Sequence, residues 1–452
     1  MPLLVVLLLL GAAGGAAPAM LLEPRTVKSA TLSNGLVLVV SEEPGAQVAA
    51  LEIVVRAGSA DEPRELAGAA HLLEHVCWTS GGGGDPRARI EAIGGATNAG
   101  TLRDYTRYYA TVAAEDFPVA LQALADMALR PRLEPPVVDR ERRAIIEEAA
   151  ARQDLPRIRL NDLTFQGVFG DAHAYGRPIE GFALSDLSAV APAQPEAEAT
   201  EAPLAGIQPH QLAAFHSAWY APNNIAVVVV GRVGFEAALG EVQRVFGGLA
   251  PQAIPARPHG ETPRPVAGKE SVVSIGGGDA CVMAAFVGPA ASERTEVAAS
   301  DVLSTILSYG CLGRLSGELV ERRKLAKSMG VDFLTQRDRA LFGVWAVCAP
   351  GDIAAVREAI RAELRRLATE PVPPGELALA KRLVNAGYSF ANETAADRAA
   401  TLGFYEAVDS YRAATQYPVR VAAITADDVA KVAAWYAADP VWVVLRPEGE
   451  GR

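Results

Sequence analysis

The apolar positions in the first third of the chain predict a mixture of helices and strands. Residues 30–56 hold two β-rich runs on either side of a Pro-Gly turn, which predicts a β-hairpin. Apolar residues recur at helical spacing over 63–79, and similar patterns predict helices over 116–129 and from 136 to about 153. Residues 96–113 alternate in the manner of strands. The two periods together predict an α+β fold.

A helix–turn–strand unit occurs twice, near the end of each half of the chain. Residues 207–233 and 424–448 each contain an amphipathic helix, a Trp-Tyr pair, a turn and an apolar strand. Between them, residues 251–268 include five prolines and two glycines and form a linker candidate. We therefore expect two homologous α+β domains, 20–250 and 269–452. Independent convergence of two such units is the alternative.

The first residues have the pattern of a secretory signal. An apolar run over 3–13 precedes the small-x-small sequence Ala17-Pro18-Ala19, so residues 1–19 are predicted to be a cleaved signal peptide. The run is shorter than the roughly 20 residues that span a bilayer, and charged residues interrupt every later apolar run. The prediction is an exported, periplasmic protein with no stable membrane anchor. A short lipid-facing anchor or an incorrectly placed start are the alternatives.

Composition narrows the classes of protein. Of 452 residues, 50% are hydrophobic and 21% are charged, which excludes disorder of the whole chain. The 53 acidic and 42 basic residues give a net charge of −11, which argues against nucleic-acid binding because Lys and Arg neutralise phosphates. Four scattered cysteines form neither a disulfide framework nor a CxxC zinc site.

Two histidines lie one helical turn apart in the sequence His71-Leu72-Leu73-Glu74-His75. Residues four apart share a helix face, so both imidazoles can reach one metal ion, and Glu74 lies beside them. Zinc prefers nitrogen and carboxylate ligands and uses three protein ligands in catalytic sites. The alternative is a pair of surface histidines on an amphipathic helix.

A third ligand can come from the predicted helix over 136–153. Glu141 and Glu148 are two turns apart and share a face, so one could bind metal while the other orients a histidine or a water molecule. Glu147 is predicted to lie on the solvated face of the same helix.

Four blocks carry a resemblance to a known family. Residues 67–80, 94–112, 141–156 and 215–233 resemble the pitrilysin/insulinase family of zinc peptidases, the inverzincins, in which the order H-x-x-E-H occurs. The similarity is in particular to short two-domain members such as mitochondrial processing peptidase and bacterial heterodimeric zinc peptidases. It implies two homologous domains, each a mostly antiparallel sheet packed with helices, of the processing-peptidase/LuxS-like metallohydrolase type.

The resemblance implies a role for each candidate residue. His71, His75 and Glu148 match the family's ligands for one Zn²⁺ per chain. Glu74 matches the catalytic glutamate, and Glu141 matches a second, supporting glutamate. The implied activity is that of a zinc-dependent metalloendopeptidase that hydrolyses peptides or unfolded segments, with Glu74 assisting the attack of zinc-bound water.

The family's substrate-pairing edge strand carries an Asn-Ala step, which corresponds here to Asn98-Ala99. A peptide substrate is therefore expected to add as a further strand near residues 96–99. A turn is the alternative role for Asn98, because asparagine is common in turns.

The second half departs from the family in a block that contacts substrate. The block that resembles LREKRGLAYS reads LVERRKLAKS at 319–328, with Val320 at the arginine position, Lys324 at the glycine position and Lys327 at the tyrosine position. Loss of the Arg/Tyr pair predicts the catalytic subunit of a heterodimer, whose homologous partner supplies that pair.

Two alternatives to this heterodimer stay open. One is a non-catalytic assembly or binding subunit, similar to the core proteins of respiratory complexes, which would bind no stoichiometric zinc. The other is a self-sufficient homodimeric peptidase in which Arg322, Arg323 or Lys327 replaces the missing pair.

Overall fold

The structure is a computed structural model that describes residues 26–447 except 81, 83, 154, 171, 182–202 and 258–267. The predicted signal peptide lies outside the described residues, as does much of the predicted linker. None of the helices within the described ranges is long and apolar enough to cross a membrane.

Eleven strands and a set of longer helices make up the described part of the chain. The strands are β1 Val27–Thr31, β2 Val37–Glu42, β3 Val48–Val55, β4 Ala96–Thr101, β5 Thr106–Ala113, β6 Ile225–Gly231, β7 Glu270–Ile275, β8 Ala280–Val287, β9 Ser328–Leu334, β10 Leu341–Cys348 and β11 Val441–Pro447. The longer helices are α1 Ala69–Ser80, α2 Pro86–Ala92, α3 Phe117–Leu129, α4 Pro135–Gln153, α5 Pro156–Phe169, α6 Pro209–Trp219, α7 Phe235–Phe246, α8 Arg294–Ser308, α9 Ile353–Thr369, α10 Pro374–Phe390, α11 Ala395–Val408, α12 Tyr411–Ala423 and α13 Ala426–Tyr436.

The strands form two sheets, one from each half of the chain. The first sheet has the order β1-β2-β6-β3-β5-β4, and the second has the order β7-β11-β8-β10-β9. Within each sheet one neighbouring pair is parallel, β2 with β6 and β7 with β11, and the other pairs are antiparallel. The expected fold class of two mostly antiparallel, helix-packed sheets is confirmed.

The five strands of the second sheet repeat the order β2-β6-β3-β5-β4 of the first sheet, which has β1 as an additional edge strand. The last strand of each half, β6 or β11, follows a helix that ends at the tryptophan or the tyrosine of a Trp-Tyr pair. It lies between equivalent strands, β2 and β3 in the first sheet and β7 and β8 in the second. This matches the helix–turn–strand repeat expected from the sequence. The exact domain boundaries stay a prediction.

The predicted hairpin over 30–56 is wrong. Strands β2 and β3 form where the apolar runs predict them, but β6 lies between them and pairs with both. The physical reason is that β6, Ile225–Gly231, is buried along its whole length and takes the central position of the sheet. The 96–113 segment instead forms the hairpin β4–β5.

One helix from each half of the chain packs on the sheet of the other half. Helix α11 of the second half packs on β3 and β6, through Ala399 and Leu402 against Val228 and Val230. Helix α5 of the first half packs on β8 and β11, where Phe165 belongs to the same apolar cluster as the strand residues. Both faces of the central strands are therefore buried, which explains why they read as continuous apolar runs.

Candidate metal centre

Helix α1 carries the H-x-x-E-H motif, and a buried carboxylate fixes its start. Glu62 is 1% exposed, and its two oxygens accept hydrogen bonds from the backbone N–H groups of Gly68, at 2.9 Å, and Ala70, at 2.7 Å. These N–H groups lack partners within the helix, so Glu62 caps the helix from outside it. Gly68 has a φ of +93°, a conformation that favours glycine at this turn.

The motif brings its three polar side chains together as the sequence predicts. Ligand atoms of His71, Glu74 and His75 all lie within 4.8 Å of one another. The two imidazole rings are 4.7 Å apart at their centroids and nearly perpendicular. His71 Nε2 lies 3.8 Å from Glu74 Oε2. His71 and Glu74 are buried, and His75 is half-buried.

Helix α4 presents both predicted glutamates to these histidines. Glu148 Oε2 lies 3.6 Å from His75 Nε2 and 4.0 Å from His71 Nε2. Glu141 Oε2 lies 3.7 Å from the other nitrogen of His75, Nδ1. The geometry therefore distinguishes the two glutamates, which the sequence did not: Glu148 lies near the Nε2 atoms of both histidines, and Glu141 lies near the Nδ1 atom of His75.

The spacing of these atoms fits a tetrahedral metal ion. Two ligands at about 2.0–2.1 Å from one zinc ion lie roughly 3.4 Å apart in tetrahedral geometry. The distances of 3.6 Å and 4.0 Å between Glu148 Oε2 and the two Nε2 atoms are close to that value and longer than hydrogen bonds. Two imidazole nitrogens and one carboxylate oxygen are also the ligand types that zinc prefers.

Burial and neighbouring charges set the protonation of the cluster. Burial lowers the pKa of His71 to about 3, so its ring is neutral, as a metal ligand must be. Its Nδ1 is buried without a hydrogen-bond partner among the described residues. Burial raises the pKa of Glu74 to about 7. Burial acts to lower the pKa of His75, but the contact with Glu141 and the other nearby carboxylates raise it overall. Burial also acts to raise the pKa of Glu141, yet hydrogen bonds hold it below its ordinary value.

Strand β4 lies at the edge of the first sheet and contacts α1, as expected for a peptide-pairing strand. Asn98 and Ala99 lie on it but face opposite sides. Ala99 pairs with Tyr108 and packs against the core that contains α1, whereas Asn98 is exposed and pairs with Tyr109 on the opposite face. The Asn98 side chain accepts a hydrogen bond from the Ala99 backbone N–H at 2.9 Å.

The substituted block of the second half, residues 319–328, begins within a π-helical turn, Gly317–Arg322, and ends at the first residue of β9. Val320 packs against the core of the second sheet, and Lys327 forms an ion pair with Asp279 at 2.8 Å. Lys324 has a φ of +55° and is, within the described ranges, the single non-glycine residue with a positive φ. Its backbone thus adopts the conformation that a glycine would favour.

Three residues at the site were not predicted from the sequence. Glu62 caps α1, Arg152 lies 3.6 Å from Glu148, and Glu180 pairs with Arg152. The i,i+4 spacing of Glu148 and Arg152 is a local signal that could have indicated their contact. Glu62 and Glu180 approach through tertiary packing, and no local sequence pattern indicates them.

This constellation, carried on a two-sheet fold, is that of a metallopeptidase-like protein. The family description Insulinase (Peptidase family M16) matches residues 37–175, and the description Peptidase M16 inactive domain matches residues 206–384. The chain belongs to this family, and the resemblance drawn from the sequence is confirmed.

Relatives agree with that assignment, and a solved structure shares the fold. The chain is 31% identical to an uncharacterized zinc protease of Mycobacterium leprae, over 79% of this chain and 77% of the relative. It is 29% identical to the mitochondrial-processing peptidase subunit beta of Lentinula edodes, over 50% of this chain and 45% of that protein. A protease structure from Helicobacter pylori superimposes with a TM-score of 0.82 at 24% identity, covering 93% of this chain and 99% of that one, and supports the fold.

Proposed function

We propose that the chain is a zinc-dependent metalloendopeptidase that hydrolyses peptides or unfolded segments. The observation that carries this proposal is the convergence of His71, His75 and Glu148 from two helices, with Glu74 buried beside them. The relatives that are named zinc proteases support the same class of reaction.

Each side chain has a role that its position supports. His71 Nε2, His75 Nε2 and Glu148 Oε2 would hold the zinc ion, which supplies a Lewis acid that polarises a carbonyl and acidifies water. Glu74 is placed to accept a proton and then donate it to the leaving nitrogen, because its carboxylate is buried beside the ligands. Glu141 orients His75 through Nδ1, and Arg140 donates a hydrogen bond to Glu141 at 2.7 Å.

Metal content and peptide hydrolysis, measured on the same preparations, test the proposal. The full chain should bind one zinc ion, and His71→Ala should bind none. Glu74→Gln should keep its zinc but lose about 10²-fold or more in hydrolysis of an unfolded protein substrate. Glu147→Gln is the matched control, because Glu147 neighbours a ligand on α4 but is exposed. Wild-type protein without zinc would favour the non-catalytic subunit instead.

We further propose that a homologous subunit completes the active site. The residues at the family's arginine and tyrosine positions have other contacts here, since Val320 packs in the core and Lys327 pairs with Asp279. Arg322 is likewise paired, with Glu318 at 2.8 Å. A homologue that carries the Arg/Tyr pair should raise the hydrolysis rate when added. Full activity without that homologue, reduced by Arg322→Ala, would favour the homodimer.

The proposed location is the periplasm after removal of residues 1–19. The apolar run and the small-x-small sequence support this proposal. Fractionation of expressing cells, with N-terminal sequencing of the mature protein, tests it. A chain that keeps residue 1 and stays with the cytosolic fraction contradicts it.

A further inference from the structure

We propose that Arg152 and Glu180 act as a positioning pair for Glu148. The pair would hold Glu148 so that one of its oxygens faces the two histidines. This inference rests on the proposed function, because it assigns the device that orients the third zinc ligand. Neither residue belongs to the motif that identifies the site.

The two oxygens of Glu148 have different neighbours. Oε1 lies 3.6 Å from Arg152 Nη1, whereas Oε2 lies 3.6 Å from His75 Nε2 and 4.0 Å from His71 Nε2. The same nitrogen of Arg152 donates a hydrogen bond to Glu180 Oε1. Arg152 Nη1 thus contacts two carboxylates, and in Glu148 it contacts Oε1 and not the oxygen that lies nearest the histidines.

Glu148 is the ligand that most needs an external restraint. Its side chain is 41% exposed, whereas those of His71 and His75 are 9% and 21% exposed. Core packing restrains the buried His71 ring, but a half-exposed glutamate can adopt several rotamers. At 3.6 Å the contact between Arg152 Nη1 and Glu148 Oε1 is an ion pair and not a hydrogen bond. Its attraction for Oε1 favours the rotamer in which Oε2 faces the two histidines.

The other end of the pair is fixed to the helix that carries the histidines. Glu180 is 7% exposed, and its backbone packs against the turn before α1. A Cβ on Gly181 would lie 2.2 Å from the carbonyl oxygen of Ala67, and one on Gly68 would lie 2.9 Å from that of Glu180. The link from Glu180 through Arg152 to Glu148 therefore ties α4 to the start of α1 and sets the ligands relative to one another.

The positive charge of Arg152, taken alone, would weaken zinc binding, whereas its positioning of Glu148 would strengthen it. A cation so close to a metal ligand would repel Zn²⁺, so its simple removal would strengthen metal binding. Glu180 offsets that charge, and Arg103 and Asp162 lie near enough to interact with Glu180 as well. The sign of the change in zinc affinity therefore distinguishes positioning from simple repulsion.

The test is zinc affinity, measured by chelator competition on the full-length chain. Arg152→Gln should weaken zinc binding about 10-fold or more, the usual effect of removing a residue that orients a ligand. Arg152→Lys should give an intermediate loss, because it keeps the positive charge but replaces the guanidinium that contacts both carboxylates with a smaller ammonium group. Glu180→Gln should also weaken binding, since the freed Arg152 then competes with zinc for Glu148. Arg143→Gln, at an exposed position on the same helix, should leave the affinity unchanged.

The visible spectrum of the Co²⁺-substituted protein gives a readout that altered stability alone would not change. It should differ between wild type and Arg152→Gln if the ligand geometry changes. Equal or tighter zinc binding by both Arg152 variants would overturn the inference. The proposed function fails in a separate way, if wild type and His71→Ala bind zinc equally weakly.

Discussion

A single methyl group at Gly403 should destabilise the contact between the two halves. Gly403 lies within α11, the helix that the second half packs on the first sheet. An added Cβ would lie 2.2 Å from Glu52 Oε2 and 3.1 Å from Val54 Cγ2. Glu52 cannot readily move aside, because it is 1% exposed and its other oxygen accepts a hydrogen bond from Arg107 at 3.1 Å.

Two opposing effects set the size of the change. Gly→Ala within a helix stabilises it by about 1 kcal/mol, whereas overpacking a buried contact costs about 1–3 kcal/mol. Gly403→Ala should therefore change the free energy of unfolding by between about 0 and −2 kcal/mol. Gly387→Ala, within α10, meets no atom within 4 Å and should show the stabilising effect alone. The difference between the two variants isolates the cost of the clash.

Urea unfolding of both variants, followed by circular dichroism, measures this difference. Glu52→Ala provides a further comparison, because it removes the two closest atoms that the new methyl group meets and leaves Val54 Cγ2 at 3.1 Å. Adding Gly403→Ala to Glu52→Ala should then cost less than adding it to the wild-type protein. The reasoning is refuted if Gly403→Ala stabilises the wild-type protein as much as Gly387→Ala.

Three further changes test other parts of the structure. Lys324→Gly should stabilise the protein by about 1 kcal/mol in urea unfolding, because it relieves a side chain at φ +55°, and Lys327→Gly should not. Tyr108→Phe and Tyr220→Phe should each cost about 1–2 kcal/mol, because the buried hydroxyls are 3.0 Å apart and each substitution removes the hydroxyl partner of the other tyrosine. The double variant should lose less free energy of unfolding than the two single variants lose together. Burial raises the pKa of Glu52 from 4.5 to about 7, so the folded protein keeps a proton there that the unfolded chain releases. As the pH rises from about 4.5 to 7, the free energy of unfolding of the wild-type protein should therefore fall relative to that of Glu52→Gln, by up to about 3 kcal/mol.

Local patterns predicted the elements that carry the candidate site. The helical spacing over 136–153 corresponds to α4. The spacing over 63–79 corresponds to α1 only from Ala69 onward, because a separate 3₁₀ turn, Arg64–Leu66, precedes it. The i,i+4 and i,i+7 spacings place the histidines and the two glutamates on facing surfaces. These features depend only on the spacing of residues along a helix, which can be read directly from the sequence. The assignment of Glu148 and Glu141 to different nitrogens required the packing of α4 on α1.

Features that depend on distant pairing could not be predicted in this way. The apolar runs of β2 and β3 are close in sequence, yet β6, about 170 residues further on, separates them in the sheet. The packing of α5 on the second sheet and of α11 on the first sheet also joins residues that are far apart in the sequence. Glu180 approaches Arg152 across 28 positions, and only the fold of the intervening chain brings them together.

The second half contacts the loop that precedes the candidate metal centre, although it contributes none of the proposed ligands. Asp61 has a fully buried carboxylate that contacts Arg257 at 3.2 Å and, from the second half, Arg337 at 3.3 Å. The next residue, Glu62, caps the helix that carries the histidines. Asp61 therefore links the loop before α1 to Arg257 and to Arg337 of the second half. The link is strong, because removing one member of a buried ion pair leaves an uncompensated charge. We therefore expect the position of α1, and with it the spacing of the ligand set, to depend on the second half of the same chain.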